Sequence, residues 1–233
     1  MVPSLTEAVA ETGPGLLVGA TDWCSHPAGL DATRVGGTKN PAVERIVRLA
    51  PDLVLANEEE NRPADLDALR AAGLEVLVTR IRTLDEGFTE LDRVLTRGCG
   101  LPRPRWLDEA RAAWRDVRPA APVRAVVPVW RRPWMVLGRD TFAADVLARL
   151  GVANVWQDHP ERYPALPLAE LNGCGADLVV LPDEPYRFTA EDGPEAFPGL
   201  PCALVDGRHL TWYGPSLVRA PAVLGDALRA ALT

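Results

Sequence analysis

Residues 41–61 read PAVERIVRLAPDLVLANEEEN, so that a short helical pattern, an apolar run and an acidic loop follow one another directly. The apolar run, Asp52 to Ala56 (DLVLA), is typical of a strand that is covered on both faces of a parallel sheet. Nearly the same order returns at residues 167–184, PLAELNGCGADLVVLPDE, around the run Asp177 to Leu181 (DLVVL). The recurrence indicates two units of similar design, each built from strands and helices in alternation.

The same alternation continues on both sides of these two runs, which predicts an α/β fold with mainly parallel strands. Ser4 with Glu7 three residues later has the form of a capping box and predicts the start of the first helix. The predicted strands are residues 16–20, 52–56, 75–79, 123–129, 154–156, 177–181 and 202–205. The predicted helices are residues 4–11, 41–49, 63–72, 84–96, 104–117, 141–150, 167–172 and 216–232.

The predicted organisation is two Rossmann-like α/β lobes joined by a long backbone helix. Residues 1–83 form the N-terminal lobe, residues 84–121 the connecting helices, and residues 122–233 the C-terminal lobe. The helix from Pro104 to Val117 would span about 20 Å at 1.5 Å per residue. Because Pro119 and Pro122 follow it with no Gly/Ser linker, we expect a stiff connection and only small opening motions.

The two lobes differ at their starts. The C-terminal lobe opens with a full strand pattern, Val123 to Val129, whereas the N-terminal lobe has only Met1-Val2-Pro3 at the matching place. The N-terminal lobe is therefore predicted to lack most of a strand that its twin possesses. A shortened chain start and loss of the strand are both open as explanations.

Composition excludes several classes of function. The net charge of −7 and a single lysine, Lys39, disfavour a broad phosphate-binding surface, so nucleic acid is not an expected partner. The four cysteines are far apart without CxxC spacing, which indicates neither a disulfide framework nor a four-cysteine zinc site. No apolar run approaches the ~20 residues of a membrane span.

The first residues contain no basic segment followed by a long apolar one, so they do not form a signal peptide. The chain as written is expected in the cytoplasm, or in the periplasm or anchored at the surface if a leader has been removed. A monomer is expected.

Four segments carry a resemblance to a known family. They are VPSLTE (2–7), GGTKNPAVERIVRLAPDLVLANEEENR (36–62), WRRPWMVLGRDTFAADVLARLGVANV (130–155) and VDGRHLTWYG (205–214). In this order they resemble the helical-backbone (class III) substrate-binding proteins of bacterial ABC importers, in particular the branch that binds cobalamin and iron-siderophores. The resemblance covers nearly the whole chain, and its motifs are more specific to the superfamily than to the ligand.

The resemblance implies two lobes with a shallow cleft between them, a large metal chelate such as cobalamin, haem or a ferric siderophore as ligand, and no intrinsic cofactor. It also implies docking on an ABC permease through one exposed glutamate per lobe, which maps to Glu44 and Glu170. Two charges held apart on a rigid body would set register and steer the encounter. Both glutamates are equally explained as solvated residues of a first helical turn, favoured there by the helix dipole.

In a two-lobed binder of this kind the ligand lies among the loops at the carboxyl ends of the strands. These loops are rich in aromatic and cationic side chains, which suit a large flat ligand and its carboxylate or phosphate groups. Trp106, Trp114 and Trp156 are assigned to packing instead. The predicted ligand-binding residues are Trp23, Thr38, Lys39, Asn57, Arg62, Trp130, Arg132, Trp134, Tyr186, Arg187, Trp212 and Tyr213.

Two alternatives remain open. One is a metal ion bound directly, with Cys24 and His26 as weak candidate ligands, although a closed zinc site needs four donors. The other is a cytosolic tetrapyrrole or metal chelatase, in which His26 or His209 would act beside Glu59 or Glu184. Because GxSxG, Walker A, GxGxxG and HExxH motifs are all missing from the sequence, a binding protein is favoured over an enzyme.

Overall fold

The computed structural model describes residues 1–118 and 122–233, and these divide into two compact units. Unit 1 comprises Met1–Ile81, Asp85–Glu109 and Tyr213–Pro215, and unit 2 comprises Arg82–Leu84, Ala110–Trp212 and Ser216–Thr233. The predicted lobe boundaries stay predictions. Residues 119–121, which include Pro119 and precede the predicted C-terminal lobe, lie outside the described ranges.

Unit 1 contains two separate parallel strand pairs, β1 with β2 and β3 with β4. The last helix in the list below begins in unit 1 and continues into unit 2, since the division falls inside it after Glu109. Leu84, the first residue of α4, also belongs to unit 2. The elements up to Arg115 are, in chain order, α1 (Pro3–Thr12), β1 (Gly19–Ala20), β2 (Thr33–Arg34), α2 (Val43–Leu49), β3 (Val54–Asn57), α3 (Pro63–Ala71), β4 (Val76–Thr79), α4 (Leu84–Asp92), a π-helical turn (Arg93–Gly98) and α5 (Arg105–Arg115).

Unit 2 contains a four-stranded parallel sheet in the order β10-β9-β5-β8, together with an antiparallel hairpin of β6 and β7. Its elements are β5 (Val123–Val126), β6 (Pro128–Trp130), β7 (Met135–Val136), α6 (Phe142–Arg149), β8 (Val152–Asn154), α7 (Leu168–Gly173), β9 (Leu178–Pro182), a 3₁₀ turn (Pro194–Ala196), β10 (Cys202–Val205), α8 (Gly207–Thr211), a 3₁₀ turn (Pro215–Val218) and α9 (Ala220–Leu232).

The predicted α/β class and parallel pairing are confirmed, and most elements lie where the sequence pattern places them. The capping box is wrong: α1 begins at Pro3 with Val2 before it, and no side chain caps the helix. Proline is favoured at this first position because it has no N–H to leave unpaired. Within residues 1–118, α1 is the first element, and the predicted lack of an opening strand stays a prediction.

Three elements were not predicted. The run Val123 to Val129 divides into β5 and β6, and β6 turns back through β7 as a hairpin. The short strand β2 consists of two exposed residues, so it carries no apolar signal. The short helix α8 lies between the predicted strand 202–205 and the predicted helix 216–232, and the Asp206 side chain caps it by accepting from the backbone N–H of His209.

Each unit has its own core. In unit 1, Val35, Ile46, Val54 and Leu69 pack together. The core of unit 2 combines sheet residues such as Val179 and Leu181 with Phe188 and Phe197 from the long loop after β9. This loop is therefore held by burial of its own aromatic side chains, each of which contributes about 1.5–3 kcal/mol. None of the helices in the described residues has the length and apolar character that crossing a membrane requires.

Candidate ligand-binding loops

In unit 2, the loops at the carboxyl ends of the strands contain most of the predicted aromatic residues. The indole of Trp130, at the end of β6, is 43% exposed. Its ring meets the ring of Tyr186 edge to face, with centroids 5.6 Å apart. Tyr186 is half-buried and holds one edge of the indole, so the rest of the Trp130 ring presents a positioned aromatic surface to solvent.

Trp134 does not present its ring to solvent in the same way. It is half-buried, stacks on Phe188 with centroids 6.0 Å apart, and meets the edge of Phe197 at 5.4 Å. Two phenyl rings of the unit 2 core therefore cover part of the indole, and the predicted ligand contact of Trp134 stays a prediction. Sequence pattern alone gave no signal that the loop after β9 would fold back onto this residue.

Arg131 is a structural residue that the sequence analysis missed. Its guanidinium forms hydrogen-bonded ion pairs with Asp192 and Glu195 and lies over the ring of Trp134 at 5.2 Å. The Tyr186 hydroxyl donates to the same Asp192 carboxylate at 2.6 Å. A backbone hydrogen bond from Gly193, supported by Arg131, lowers the pKa of Glu195. Arg131 thus ties the β6–β7 hairpin to the loop after β9.

Arg132 and Arg187, which the sequence predicted as ligand contacts, are both exposed. Within the two described ranges, neither forms an ion pair with an acidic side chain. Their guanidinium groups are therefore available for bidentate contacts with carboxylate or phosphate oxygens.

Trp212 is placed differently from its prediction. It is 7% exposed, and its Nε1 donates to Oε2 of Glu184 at 2.8 Å. Burial raises the pKa of Glu184, while the hydrogen bond from Trp212 acts in the opposite direction. A Cβ at Gly207 would lie 2.6 Å from the backbone nitrogen of Glu184, so only glycine permits this close approach of α8. Tyr213 is buried as well, and both rings serve packing rather than an exposed surface.

In unit 1, the loops at the carboxyl ends of β1 and β3 contain Trp23, which is 69% exposed. Lys39 donates from Nζ to the backbone carbonyl of Glu59, which joins two of the predicted ligand loops. Thr38 belongs to the same junction, since its carbonyl accepts from Nδ2 of Asn61 at 3.1 Å. Arg62 is exposed and pairs with Asp65 through two hydrogen bonds.

Asn57 differs from its prediction as a ligand contact. It is 3% exposed, and its Nδ2 donates to the carbonyl and Oγ1 of Thr79 at 3.3 and 3.1 Å. Its Oδ1 accepts from the backbone N–H of Glu59 at 2.9 Å. The side chain therefore shapes the loop that follows β3 rather than facing a ligand.

The weak metal candidates are not brought together. Cys24 is fully buried, with its Sγ 3.1 Å from Oγ1 of Thr21 and 3.2 Å from Oγ1 of Thr6. His26 instead bonds through Nδ1 to the neighbouring Ser25 hydroxyl. No group of three or more His, Cys, Asp or Glu side chains suited to a metal ion occurs in the described part of the chain. The structure therefore gives no support to a Cys24–His26 ligand pair, which stays a prediction.

The predicted chelatase constellation is not assembled in unit 2 either. Nδ1 of His209 lies 2.9 Å from Oδ1 of Asp206, on the helix α8 that this aspartate caps. Glu184 is engaged by Trp212 instead. The carboxylate next to His209 is therefore that of Asp206, which caps α8, and not that of the predicted Glu184.

The two predicted docking glutamates both lie in first helical turns. Glu44 belongs to α2, where its side chain is 95% exposed and 3.9 Å from Arg48. Glu170 belongs to α7 and is also exposed. Each glutamate is on a different unit and is accessible to a partner.

No family model matches the chain, but sequence comparison finds relatives that are named vitamin B12-binding proteins. The chain is 24% identical over 179 residues to a vitamin B12-binding protein of Vibrio cholerae, a match that covers 73% of this chain and 64% of that protein. It thus spans somewhat less than two thirds of this curated relative. The vitamin B12-binding protein of Pectobacterium carotovorum is 23% identical over 205 residues, covering 82% of this chain and 72% of the relative.

Solved structures show the same fold over almost the whole chain. The periplasmic vitamin B12-binding protein BtuF of Vibrio cholerae matches with a TM-score of 0.76 and 19% identity, covering 100% of this chain and 96% of that one. The periplasmic heme-binding protein RhuT from Roseiflexus sp. RS-1, in apo form, matches with a TM-score of 0.80 and 22% identity, covering 99% and 97%.

The fold is therefore that of the helical-backbone substrate-binding proteins, and the resemblance seen in the sequence motifs is confirmed. The relatives and structural neighbours that carry it are named as binding proteins for vitamin B12 or heme, not as enzymes.

Proposed function

We propose that this chain is a substrate-binding protein of the ABC-importer type that binds cobalamin or another large metal chelate, such as haem or a ferric siderophore, without chemical change. The observation that carries the proposal is the position of the exposed aromatic rings. Among the described residues, the exposed large apolar side chains include only two aromatic ones, Trp23 and Trp130. Trp23 lies in the loop after the parallel strand β1 of unit 1, and Trp130 is the last residue of β6, in the antiparallel hairpin of unit 2.

An exposed indole offers a flat apolar face, and a planar macrocycle offers an apolar surface that can cover it. Arg132 and Arg187 add cationic groups to the unit 2 loops, which suits the carboxylates or phosphate of a chelate. The names of the relatives point to the same ligands, with vitamin B12 first. The cleft between two lobes that the sequence resemblance implied stays a prediction.

Binding can be tested by titrating cyanocobalamin, haemin and a ferric siderophore separately by calorimetry. We expect one of them to bind with one-to-one stoichiometry and to be recovered unchanged. Trp130→Ala should lower the affinity for that ligand by about tenfold, which is the loss expected from one or two good ring contacts. Leu204→Ala is the matched control, because Leu204 is also an exposed apolar side chain but lies on β10.

Failure of all three ligands to bind, or equal affinities of the Trp130 and Leu204 variants, would contradict the proposal. Formation of a metallated product from free macrocycle and Co²⁺ or Fe²⁺ would instead favour the chelatase.

We further propose that Glu44 and Glu170 contact an ABC permease. Three observations support this assignment: both side chains are exposed, they belong to different units, and neither lies in a predicted ligand loop. Charge reversal, Glu44→Arg with Glu170→Arg, should abolish stimulation of the permease ATPase while leaving ligand affinity unchanged. Reversal of Glu161, an exposed glutamate of unit 2, is the control. Undiminished stimulation by the double variant would place the docking surface elsewhere.

A further inference from the structure

One carboxylate in unit 2 joins two neighbours of the exposed Trp130 ring. Oδ1 of Asp192 pairs with the guanidinium of Arg131, the residue that follows Trp130 in the chain. Oδ2 of the same carboxylate accepts a 2.6 Å hydrogen bond from the hydroxyl of Tyr186, whose ring meets the Trp130 indole edge to face. Both oxygens of Asp192 are therefore engaged, and each acts on a different neighbour of Trp130.

The contact with Arg131 fixes the turn between β6 and β7. The Arg131 side chain is only 16% exposed, and its other terminal nitrogen pairs with Glu195. The guanidinium also lies over the ring of Trp134, at the far end of the same turn. Because Trp134 stacks on Phe188, the turn is held against the loop after β9. Trp130 is the last residue of β6, so the start of this turn limits where its ring can lie.

The contact with Tyr186 fixes the ring that packs against the indole. The Tyr186 ring lies 4.7 Å from that of Phe188 and 5.6 Å from that of Trp130, between centroids. Its hydroxyl, at the opposite end of the side chain from the backbone, is held by Asp192. Ring packing and a short hydrogen bond together determine the direction of the tyrosine, and with it the surface that the indole edge meets.

The loop around Asp192 is itself well held. The backbone N–H of Asp192 donates to Oγ1 of Thr189 at 3.1 Å, and the backbone N–H of Thr189 donates to the carbonyl of Asp192 at 3.0 Å. Gly193 follows with a φ of 136°, and a Cβ there would lie 2.8 Å from Cδ1 of Phe188. Only glycine allows this conformation and this approach, which bring the carboxylate to the edge of the unit 2 core.

A ring that is already held in place binds a ligand at a lower entropic cost. An exposed tryptophan that is free to change rotamer loses this freedom when a ligand covers it, and the loss lowers affinity. The contacts of Arg131 and Tyr186 restrict the Trp130 ring beforehand, while 43% of the residue stays exposed. Such contacts raise affinity without touching the ligand.

We propose that Asp192 is a positioning residue for chelate binding, which holds the Trp130 ring through Arg131 and Tyr186 in the orientation that the chelate meets. The inference rests on the proposed function, since it gives Asp192 a part in the same site. Asp192 acts on affinity through Trp130 and not by contact with the chelate. The effect of removing Asp192 must therefore depend on whether the Trp130 ring is present.

Two substitutions remove the contacts to different extents. Asp192→Ala removes both, whereas Tyr186→Phe keeps the ring and removes only the hydroxyl that bonds to Asp192. Asp226→Ala is the matched control, because Asp226 is also an aspartate of unit 2 that pairs with an arginine, Arg229, but it lies on α9. Circular dichroism at increasing temperature verifies that each variant is folded at the temperature of the measurements.

The first readout needs no ligand. The indole N–H signal of Trp130 in a ¹⁵N-labelled chain is identified by its loss in Trp130→Phe. Its order parameter should be about 0.85 in the unchanged chain, as in rigid groups, and should fall below about 0.6 in Asp192→Ala. Tyr186→Phe should lower the order parameter by a smaller amount, and Asp226→Ala should leave it unchanged.

The second readout is the affinity for a chelate, measured by calorimetry with cyanocobalamin first, then haemin and a ferric siderophore. Asp192→Ala should lower the association constant by about threefold to tenfold, the effect of releasing one or two held side chains. The same substitution in a Trp130→Ala chain should lower it by less than about twofold, because no ring is left to hold. A merely structural role of Asp192 would give the same loss in both chains.

An unchanged order parameter of Trp130 in both Asp192→Ala and Tyr186→Phe would overturn the proposal. An equal loss of affinity with and without the Trp130 ring would overturn it as well. A chain that binds none of the three chelates contradicts the proposed function, and with it the role of Asp192 in chelate binding. A chain that binds a chelate but keeps a rigid Trp130 ring without Asp192 contradicts this inference alone, so the two failures are distinguishable.

Discussion

The indole nitrogen of Trp212 donates a 2.8 Å hydrogen bond to the carboxylate of Glu184, and this pair closes the carboxyl ends of β9 and β10. Trp212 is buried, Glu184 is half-buried, and Gly207 brings the start of α8 against the Glu184 backbone. This hydrogen-bonded pair, which we call the Trp212–Glu184 lock, therefore holds α8 against the loop after β9, with consequences for stability and for the pH dependence of stability.

Removing the donor of this hydrogen bond should destabilise the fold. Trp212→Phe keeps most of the apolar volume but leaves a half-buried carboxylate without its indole partner, so we expect a loss of about 1.5–3 kcal/mol in the free energy of unfolding. Urea denaturation followed by circular dichroism measures this loss. Trp130→Phe, an exposed indole, is the control and should change stability by less than about 0.5 kcal/mol. Equal effects of the two substitutions would contradict the role given to the lock.

The raised pKa of Glu184 should appear in the pH dependence of stability. A carboxyl whose pKa is higher in the folded state than its ordinary value of 4.5 holds its proton more tightly when folded. Its contribution to stability is complete below the ordinary value and is lost as the pH rises through the folded pKa. Glu184→Gln stays neutral and keeps an acceptor for Trp212, so its stability relative to the unchanged chain should increase between about pH 4 and pH 7.

Denaturation curves at several pH values test this expectation. Asp226→Asn, which removes an exposed carboxylate of α9, supplies the baseline for loss of one charge. A constant difference between the Glu184→Gln and unchanged chains across the pH range would exclude the raised pKa.

Asn57 should matter for the shape of a loop and for stability. Its buried amide makes three internal hydrogen bonds, to Thr79 and from Glu59, so Asn57→Ala leaves buried polar groups unpaired. We expect a loss of about 1–3 kcal/mol in the free energy of unfolding. Asn40→Ala, at an exposed asparagine of unit 1, should cost far less. A large drop in chelate affinity with unchanged stability would return Asn57 to its predicted role as a ligand contact.

The cysteines should be poorly reactive while the protein is folded. Cys24 is fully buried against two threonine hydroxyls, and burial raises the pKa of Cys99 and of Cys202, which lowers their thiolate fraction. In a thiol-reagent assay at neutral pH, the native chain should react much more slowly than the urea-unfolded chain, in which all four thiols are free.

Cobalt supplies a second measurement on Cys24. Addition of Co²⁺ to the native chain should produce no thiolate-to-cobalt absorption, since Cys24 and His26 are not arranged as ligands. Rapid modification of Cys24, or a thiolate–cobalt absorption band that Cys24→Ser removes, would instead support Cys24 as a metal ligand.

Much of the architecture was predictable from local pattern. The runs DLVLA and DLVVL are strands because continuous apolar runs of this length suit a sheet covered on both faces, and both lie within a residue or two of the predicted bounds. The packing assignment of Trp114 is confirmed, since its helical spacing with Leu107 and Ala110 placed all three on one buried face.

The candidate site was predictable only in part. Their positions near strand ends predicted exposed rings for Trp23 and Trp130, and both rings are exposed. The same reasoning predicted exposed rings for Trp134 and Trp212, which are half-buried and buried. Nothing in the residues adjacent to Trp134 indicates that Phe188 and Phe197, more than fifty positions later, will cover it. Arg131 and Arg132 are adjacent arginines. Only the fold shows that Arg131 forms ion pairs with the loop after β9, whereas Arg132 is exposed.

The sequence by itself determined the class of fold, the repeated motif and the family resemblance, because periodicity and repeated motifs depend on residues close together in the chain. Which aromatic rings face solvent and which carboxylate accepts from an indole were decided by the tertiary structure alone. The physical reason is that burial and hydrogen bonding depend on long-range partners, such as Trp212 for Glu184 and Asp192 for Arg131, whose approach no local pattern records.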